Sequence, residues 1–151
     1  MSDDISPLAQ ALGRIPTGLY IVSTRHGGTL GSFLMQVGFA PPTVCVAVGT
    51  GRGALEAIRG SGRFGVSILD AESRGLMAPF FKSEAPFDEV EHQDAPGGSP
   101  VLTGALAWFE CEVTGEHDAG DHVVVFGTAV SGAQHRAGDS ATHLRKNGLG
   151  Y

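Results

Sequence analysis

A mostly β fold, all-β or α+β with peripheral helices, is what this sequence predicts, on three observations. Glycine occurs 23 times and proline eight times in 151 residues, which suits many turns and short strands better than long helices. Two long runs of strand character, ALAWFECEVTGEH and DHVVVFGTAVSGAQH, meet at the turn sequence DAGD in the last third of the chain, and such a pattern reads as an antiparallel hairpin. Pro41 and Pro42 stand between two apolar runs. A proline pair blocks both a helix and a continuous ladder, so those runs are joined by a bend and not by a crossover helix.

The elements follow in order. SPLAQALGRI predicts a short helix, with Ser6 as its cap and Pro7 in its first turn. Gly18 to Thr24 is a strand closed by the hairpin signal HGG. Thr29 to Phe39 reads as a second strand and Thr43 to Val48 as a third. After the turn GTGRG, ALEAIRGSG is a short helix ended by glycines. Phe64 to Leu69 is a buried strand, and AESRGLMAPFFK a helix with Leu76, Met77 and Phe80 at helical spacing. Asp70 is read as the cap of that helix. Ser83 to Pro100 is a polar, Pro/Gly-rich stretch carrying Phe87, and a loop of that length is usually functional or mobile. In the long hairpin, period-two alternation puts Ala107, Phe109, Cys111 and Val113 on one face. Trp108, Glu110 and Glu112 share the other, which suggests a face near solvent or a dimer partner.

Composition narrows the function. A chain of 151 residues is expected to form one domain, residues 1–151, that buries roughly two-thirds of its unfolded surface. The net charge of −6 argues against a nonspecific nucleic-acid binder or a protein held to anionic membrane, both of which need a basic footprint. MSDDISPLAQ is acidic where a signal peptide is basic, and no apolar run reaches membrane-spanning length, so a cytoplasmic location is expected. Cys45 and Cys111 lie in apolar strand-like runs without ligand spacing, which predicts two reduced, buried thiols. No metal site is expected.

Gly49, Gly51 and Ala54 have the spacing of a dinucleotide fingerprint between a strand and a helix, with Asp70 at the end of the next strand. A Rossmann domain needs repeated βαβ units, and this chain offers one at most. What survives is local: glycines before a helix expose backbone N–H groups to a phosphate, and Arg52 adds a cation. A plain strand-to-helix turn is the competing reading.

Six blocks in order, IPTGLYIVST, GSFLMQVGF followed by PP and VAV, SGRFGVSIL, PVLTGALAWFECEV, GDHVVVFGTAV and HLRKNGLGY, resemble the flavin reductase-like, FMN-binding split-barrel family. The resemblance spans almost the whole chain, and its closing block is similar to the end of the flavin reductase-like module of diflavin flavoproteins. It implies a six-stranded antiparallel split barrel with peripheral helices, usually a homodimer, that binds FMN, or FAD, noncovalently. By position, Ser32, Phe33, Leu34, Met35 and Gln36 are expected along the ring and ribityl chain, and Gly49, Thr50 and Arg52 at the phosphate. The chain departs from the family pattern where Phe33, Leu34 and Met35 replace small polar residues. It also leaves Arg52 as the obvious cation of the phosphate turn.

The chemistry the resemblance implies is hydride transfer from NAD(P)H to flavin and onward delivery to free flavin, a partner protein or another acceptor. Such chemistry belongs to the cofactor and needs no protein nucleophile. His122 corresponds to a family position near flavin and nicotinamide, against the alternative of an exposed turn histidine. His143, Arg145 and Lys146 form a basic cluster on an acidic chain; with Tyr151 they are candidates for cofactor contact, Lys146 at a phosphate and Tyr151 packed on flavin, against a solvated tail. An electron carrier without its own nicotinamide site and a noncatalytic dimeric binding domain are the competing functions.

Overall fold

The computed structural model describes residues 4–51 and 53–151. In chain order the elements are α1 (Pro7–Leu12), β1 (Tyr20–Thr24), β2 (Gly27–Gly31), β3 (Leu34–Phe39), β4 (Pro42–Gly49), α2 (Gly53–Ser61) and β5 (Arg63–Ile68). They continue with α3 (Ala78–Lys82), β6 (His92–Asp94), β7 (Pro100–Leu102), β8 (Ala107–Asp118) and β9 (His122–Gln134).

Seven strands form one sheet in the order β2-β1-β5-β8-β9-β4-β3, and β6 and β7 form a separate pair. All pairings are antiparallel. Strands β2 and β3 are the outermost of the seven, which in a flat sheet would hold them about 29 Å apart at about 4.8 Å per spacing. Only Ser32 and Phe33 separate them in the chain, and so short a link spans at most about 10 Å. The sheet therefore curls until its edges approach, which is the split-barrel architecture. The stretch expected as one strand from Thr29 to Phe39 is two, the first half paired to β1 and the second to β4. Counted as one bent strand, they bring the seven to the expected six.

Apolar side chains fill the curl. Phe64, Val66, Val22, Val46, Val125 and Cys111 are buried together inside it. The ring of Phe64 reaches β9 at Gly127, where an added Cβ would stand 2.8 Å from Cys111 Cβ and 3.1 Å from the Phe64 ring. A second cluster, Leu19, Ile21, Leu69 and Leu102, packs with Phe80 and Phe87. Both cysteines are free, and burial pushes the Cys111 thiol up to about 12.

Three further expectations need correction. Residues 83–100 are not one long loop: Pro86–Asp88 makes a 3₁₀ turn that packs the half-buried Phe87 against the second cluster, and β6 pairs with β7. This segment lies over β8, so Trp108 packs with Ala95 and Val101 and the Glu110 carboxylate is fully buried. Glu110 accepts hydrogen bonds from the backbone N–H of Gly97 at 2.7 Å and of Ser99 at 3.0 Å. A buried carboxylate has to be satisfied in this way. The face assigned to solvent or a dimer partner is thus covered by the chain itself as far as Glu110, and only Glu112 is exposed, paired to Arg63 at 3.2 Å.

The helix expected over residues 71–82 is a turn, a 3₁₀ segment Arg74–Met77 and the short α3. Asp70 still caps its start. Its Oδ1 accepts from the Ser73 backbone N–H at 3.0 Å and from the Ser73 hydroxyl at 2.7 Å, while Arg136 grips both carboxylate oxygens, at 2.6 and 3.1 Å. The Arg136 guanidinium, aided by Ser73, lowers the Asp70 carboxyl to about 2. A group depressed in the folded state stabilises above its unfolded pKa of about 3.9 and loses that contribution as pH falls through the folded value. The stability difference between the wild type and Asp70→Asn, measured by urea unfolding, is therefore expected to be constant above about pH 5 and to shrink between about pH 4 and pH 2. A difference that stays flat across that window would contradict the assignment.

Among the described residues, no helix is long and apolar enough to cross a membrane.

Candidate functional site

The two-residue link between β2 and β3 opens onto a cavity of about 500 Å³, within the range of small-molecule and cofactor sites. Ser32 and Phe33 form one wall, Val46 to Gly49 of β4 another, and Ala54 brings in the first turn of α2. Arg74, Met77, Phe80 and Phe81 close the side opposite β4, and His143, Arg145 and Tyr151 of the tail form the rim.

The tail is held by backbone bonds. Thr17 and His143 form an isolated antiparallel bridge, with N–H to O distances of 3.0 and 2.7 Å. Arg14 Nη2 donates to the Arg145 carbonyl at 2.8 Å, and the Gly148 N–H donates to the Ala9 carbonyl at 2.8 Å. Extended backbone alternates its side chains, so His143 and Arg145 face the cavity while Leu144 and Lys146 are exposed.

Phe33 is the hub of the rim. The Tyr151 ring stacks on it with centroids 5.6 Å apart and planes 28° apart. His122 lies 5.5 Å from it, and the Arg145 guanidinium carbon sits 4.9 Å above its face, a cation–π distance. Asp121 Oδ1 accepts from His122 Nδ1 at 2.9 Å. That bond assigns the proton of a neutral His122 to Nδ1 and leaves Nε2 to accept from the Tyr151 hydroxyl. The His122 hydrogen bond holds the Asp121 carboxyl below its usual range.

The structure divides the expected site residues. Ser32, Phe33, Gly49 and Tyr151 line the cavity, and His122 reaches it through Phe33 and Tyr151. Leu34 packs into the barrel interior. Met35 is 61% exposed on the outer side of β3, and Gln36 turns back to donate to the Gly38 carbonyl at 3.0 Å. Thr50 donates both its N–H, at 3.0 Å, and its hydroxyl, at 3.2 Å, to the Asp121 carbonyl, so it ties the turn to the long hairpin. Lys146 is exposed and away from the cavity. Arg52 lies outside the described residues. Gly51 has φ +79°, a left-handed conformation that suits glycine.

Arg74, Phe80 and Phe81 are lining residues that reading the sequence missed. Helical spacing of apolar residues is a packing signal, and nothing local shows that their segment folds over the β2–β3 link.

The residues present fit a flavin. The wall is apolar and aromatic, as a fused ring system requires. The Arg145 Nε is buried with no hydrogen-bond partner among the described residues, a donor that a ligand oxygen would satisfy. The first-turn N–H groups of α2 have no partner within the helix and suit an anion.

Comparison with known proteins agrees. The profile of the flavin reductase like domain matches residues 12–148. Diflavin flavoprotein A 1 of Synechocystis sp. is 35% identical over 156 residues, which covers 97% of this chain and 27% of that protein. The chain thus spans about a quarter of the length of that relative. The reductase subunit HsaB of a flavin-dependent monooxygenase from Mycobacterium tuberculosis is 33% identical over 138 residues, covering 87% of this chain and 74% of the subunit. Among solved structures, nitrilotriacetate monooxygenase component B from Mycobacterium thermoresistibile superposes with a TM-score of 0.83 at 30% identity, covering 91% of this chain and 80% of that one.

Proposed function

The chain belongs to the flavin reductase-like family, and from that premise we propose that it binds FMN, or FAD, in the cavity beside Phe33. We propose further that NADH or NADPH reduces this flavin and that the electrons pass to free flavin, a partner protein or another acceptor. The observation that carries the reading is the cavity of about 500 Å³, lined by Phe33 and Tyr151, with the Arg145 Nε, unpartnered among the described residues, buried at its rim.

Flavin supplies the redox chemistry when bound, accepting hydride on its ring system and passing electrons on. The chain's own residues bind and orient. Phe33 gives an apolar face, and Arg145 donates to a flavin oxygen. Arg74 adds positive charge at the opposite wall, and the first turn of α2 receives the phosphate. His122 is a positioning residue: with Asp121 fixing its tautomer, it holds the Tyr151 hydroxyl and so the ring that stacks on Phe33. We take residues 1–151 as one such module, a reading supported by the family match over residues 12–148.

The test is direct. Purified protein should quench flavin fluorescence on titration and oxidise NADH or NADPH only when flavin is present. Quenching without oxidation would leave an electron carrier, and neither would leave a noncatalytic binding domain.

We also propose a homodimer. Met35, Val37 and Phe39 lie on β3, an outermost strand of the sheet with a bulge between Gln36 and Gly38, and are 61%, 42% and 88% exposed. Exposed apolar side chains on an edge strand favour association. Phe39→Asp is expected to shift the sedimentation coefficient from dimer to monomer without loss of circular dichroism. An unchanged dimer would remove β3 from the interface.

A further inference from the structure

Asp70 and Arg136 stand outside the described lining of the cavity, yet the residues they hold lead into it. Arg136 lies just past the end of β9, where the seven-stranded sheet fixes the backbone. All three nitrogens of its guanidinium are engaged. Nη1 donates to the Gly104 and Ala105 carbonyls at 3.1 and 3.3 Å, while Nε and Nη2 fork onto the two oxygens of Asp70. The exposed Glu72 adds a longer contact to Nε at 3.5 Å. Asp70 is buried and accepts from both the N–H and the hydroxyl of Ser73, whose oxygen accepts in return from the Asp70 N–H at 2.9 Å. The Ser73 carbonyl then takes the Leu76 N–H at 2.9 Å and starts the 3₁₀ turn Arg74–Met77. Arg74 and Met77 of that turn line the cavity opposite β4. A continuous chain of bonds thus runs from the sheet to the wall.

We propose that Asp70 and Arg136 are positioning residues for the cavity: their ion pair aims the Arg74–Met77 turn, so that flavin affinity depends on a bond neither of whose partners touches the ligand. Two arguments lead there. A 3₁₀ turn followed by the five-residue α3 is too short to hold its own shape, so its direction has to come from outside. An ion pair at this depth is weak support for stability, because desolvation offsets its attraction, whereas a forked arginine–carboxylate pair fixes direction well. Loosening the pair leaves Ser73 without its fixed acceptor, and the Arg74 charge is then spread over several orientations instead of one. The inference rests on the flavin reading for the occupant of the cavity.

The experiment measures FMN affinity by fluorescence titration in the wild type, Asp70→Asn, Arg74→Ala and the double variant, each shown folded by circular dichroism. Asp70→Asn keeps the size of the side chain and an acceptor for Ser73 but removes the charge that Arg136 grips. It should weaken FMN about tenfold in the wild-type background and less than about twofold once Arg74 is alanine, because a wall without its charge has nothing left to aim. Arg136→Lys, whose ammonium cannot fork onto one carboxylate and two carbonyls, should behave alike in both backgrounds, and it carries the test if Asp70→Asn fails to fold. Unchanged affinity in both variants would overturn the positioning role. A loss as large in the Arg74→Ala background as in the wild type would overturn it too, since that is what a merely structural pair gives. A wild type that binds no FMN removes the flavin reading and the role with it; one that binds FMN no better than both variants loses the role alone.

Discussion

Replacing Phe64 with alanine is expected to cost about 3–5 kcal/mol of stability, the range for a fully buried aromatic ring truncated in a core. The side chain has 0% exposure. It stands on β5, between β1 and β8, and its ring also reaches β9, where Gly127 leaves room for it. Four strands therefore border the cavity that the substitution creates, and a curled sheet cannot collapse onto it without breaking its ladder. Domains of this size are stable by about 5–15 kcal/mol, so the variant should lose roughly a fifth or more of its stability. Chemical denaturation with matched m-values checks this. A loss below about 1 kcal/mol would show that the site relaxes freely and that Phe64 is not central to the curl.

Arg145→Ala is expected to weaken flavin binding by roughly 10- to 100-fold, about 1.5–3 kcal/mol, the value of hydrogen bonds to a charged group. The backbone that positions this residue is retained, because Arg14 bonds its carbonyl and not its side chain. Its side chain gives up one bond at 3.3 Å to the Gly150 carbonyl and the cation–π contact to Phe33, so little stability should be lost. Arg145→Lys should recover only part of the affinity, because an ammonium keeps the charge without the Nε donor or the planar fork. Fluorescence titration of the three proteins is the measurement. Equal affinity in all three would take Arg145 out of the site.

The long hairpin was legible because its information is local: period-two alternation in β8 and β9 and the turn DAGD, where Gly120 takes φ +85°. The break at Ser32 and Phe33 was not, since Thr29 to Phe39 has strand character throughout. The break arises because the first half pairs with β1 and the second with β4, a fact of the closed sheet. The covering of Trp108 and Glu110 by residues 95–101 is likewise nonlocal; alternation shows two faces but not what lies on each. Within the site, resemblance led to Phe33, Gly49, Tyr151 and His122, while the tail cations needed the fold. Only when Thr17 bridges His143 does alternation turn Arg145 inward and Lys146 outward. Arg74 and Phe81 carried no signal, because their place over the cavity depends on the α3 segment folding back.

Under the proposed function, a nicotinamide nucleotide reduces the flavin that this chain binds. Protein loaded with FMN or FAD is mixed anaerobically with NADH, and separately with NADPH, while the flavin absorbance is followed. Rapid bleaching with at least one donor, slowed in Arg145→Ala at subsaturating flavin, is the predicted result. Bound flavin that stays oxidised with both donors would contradict it.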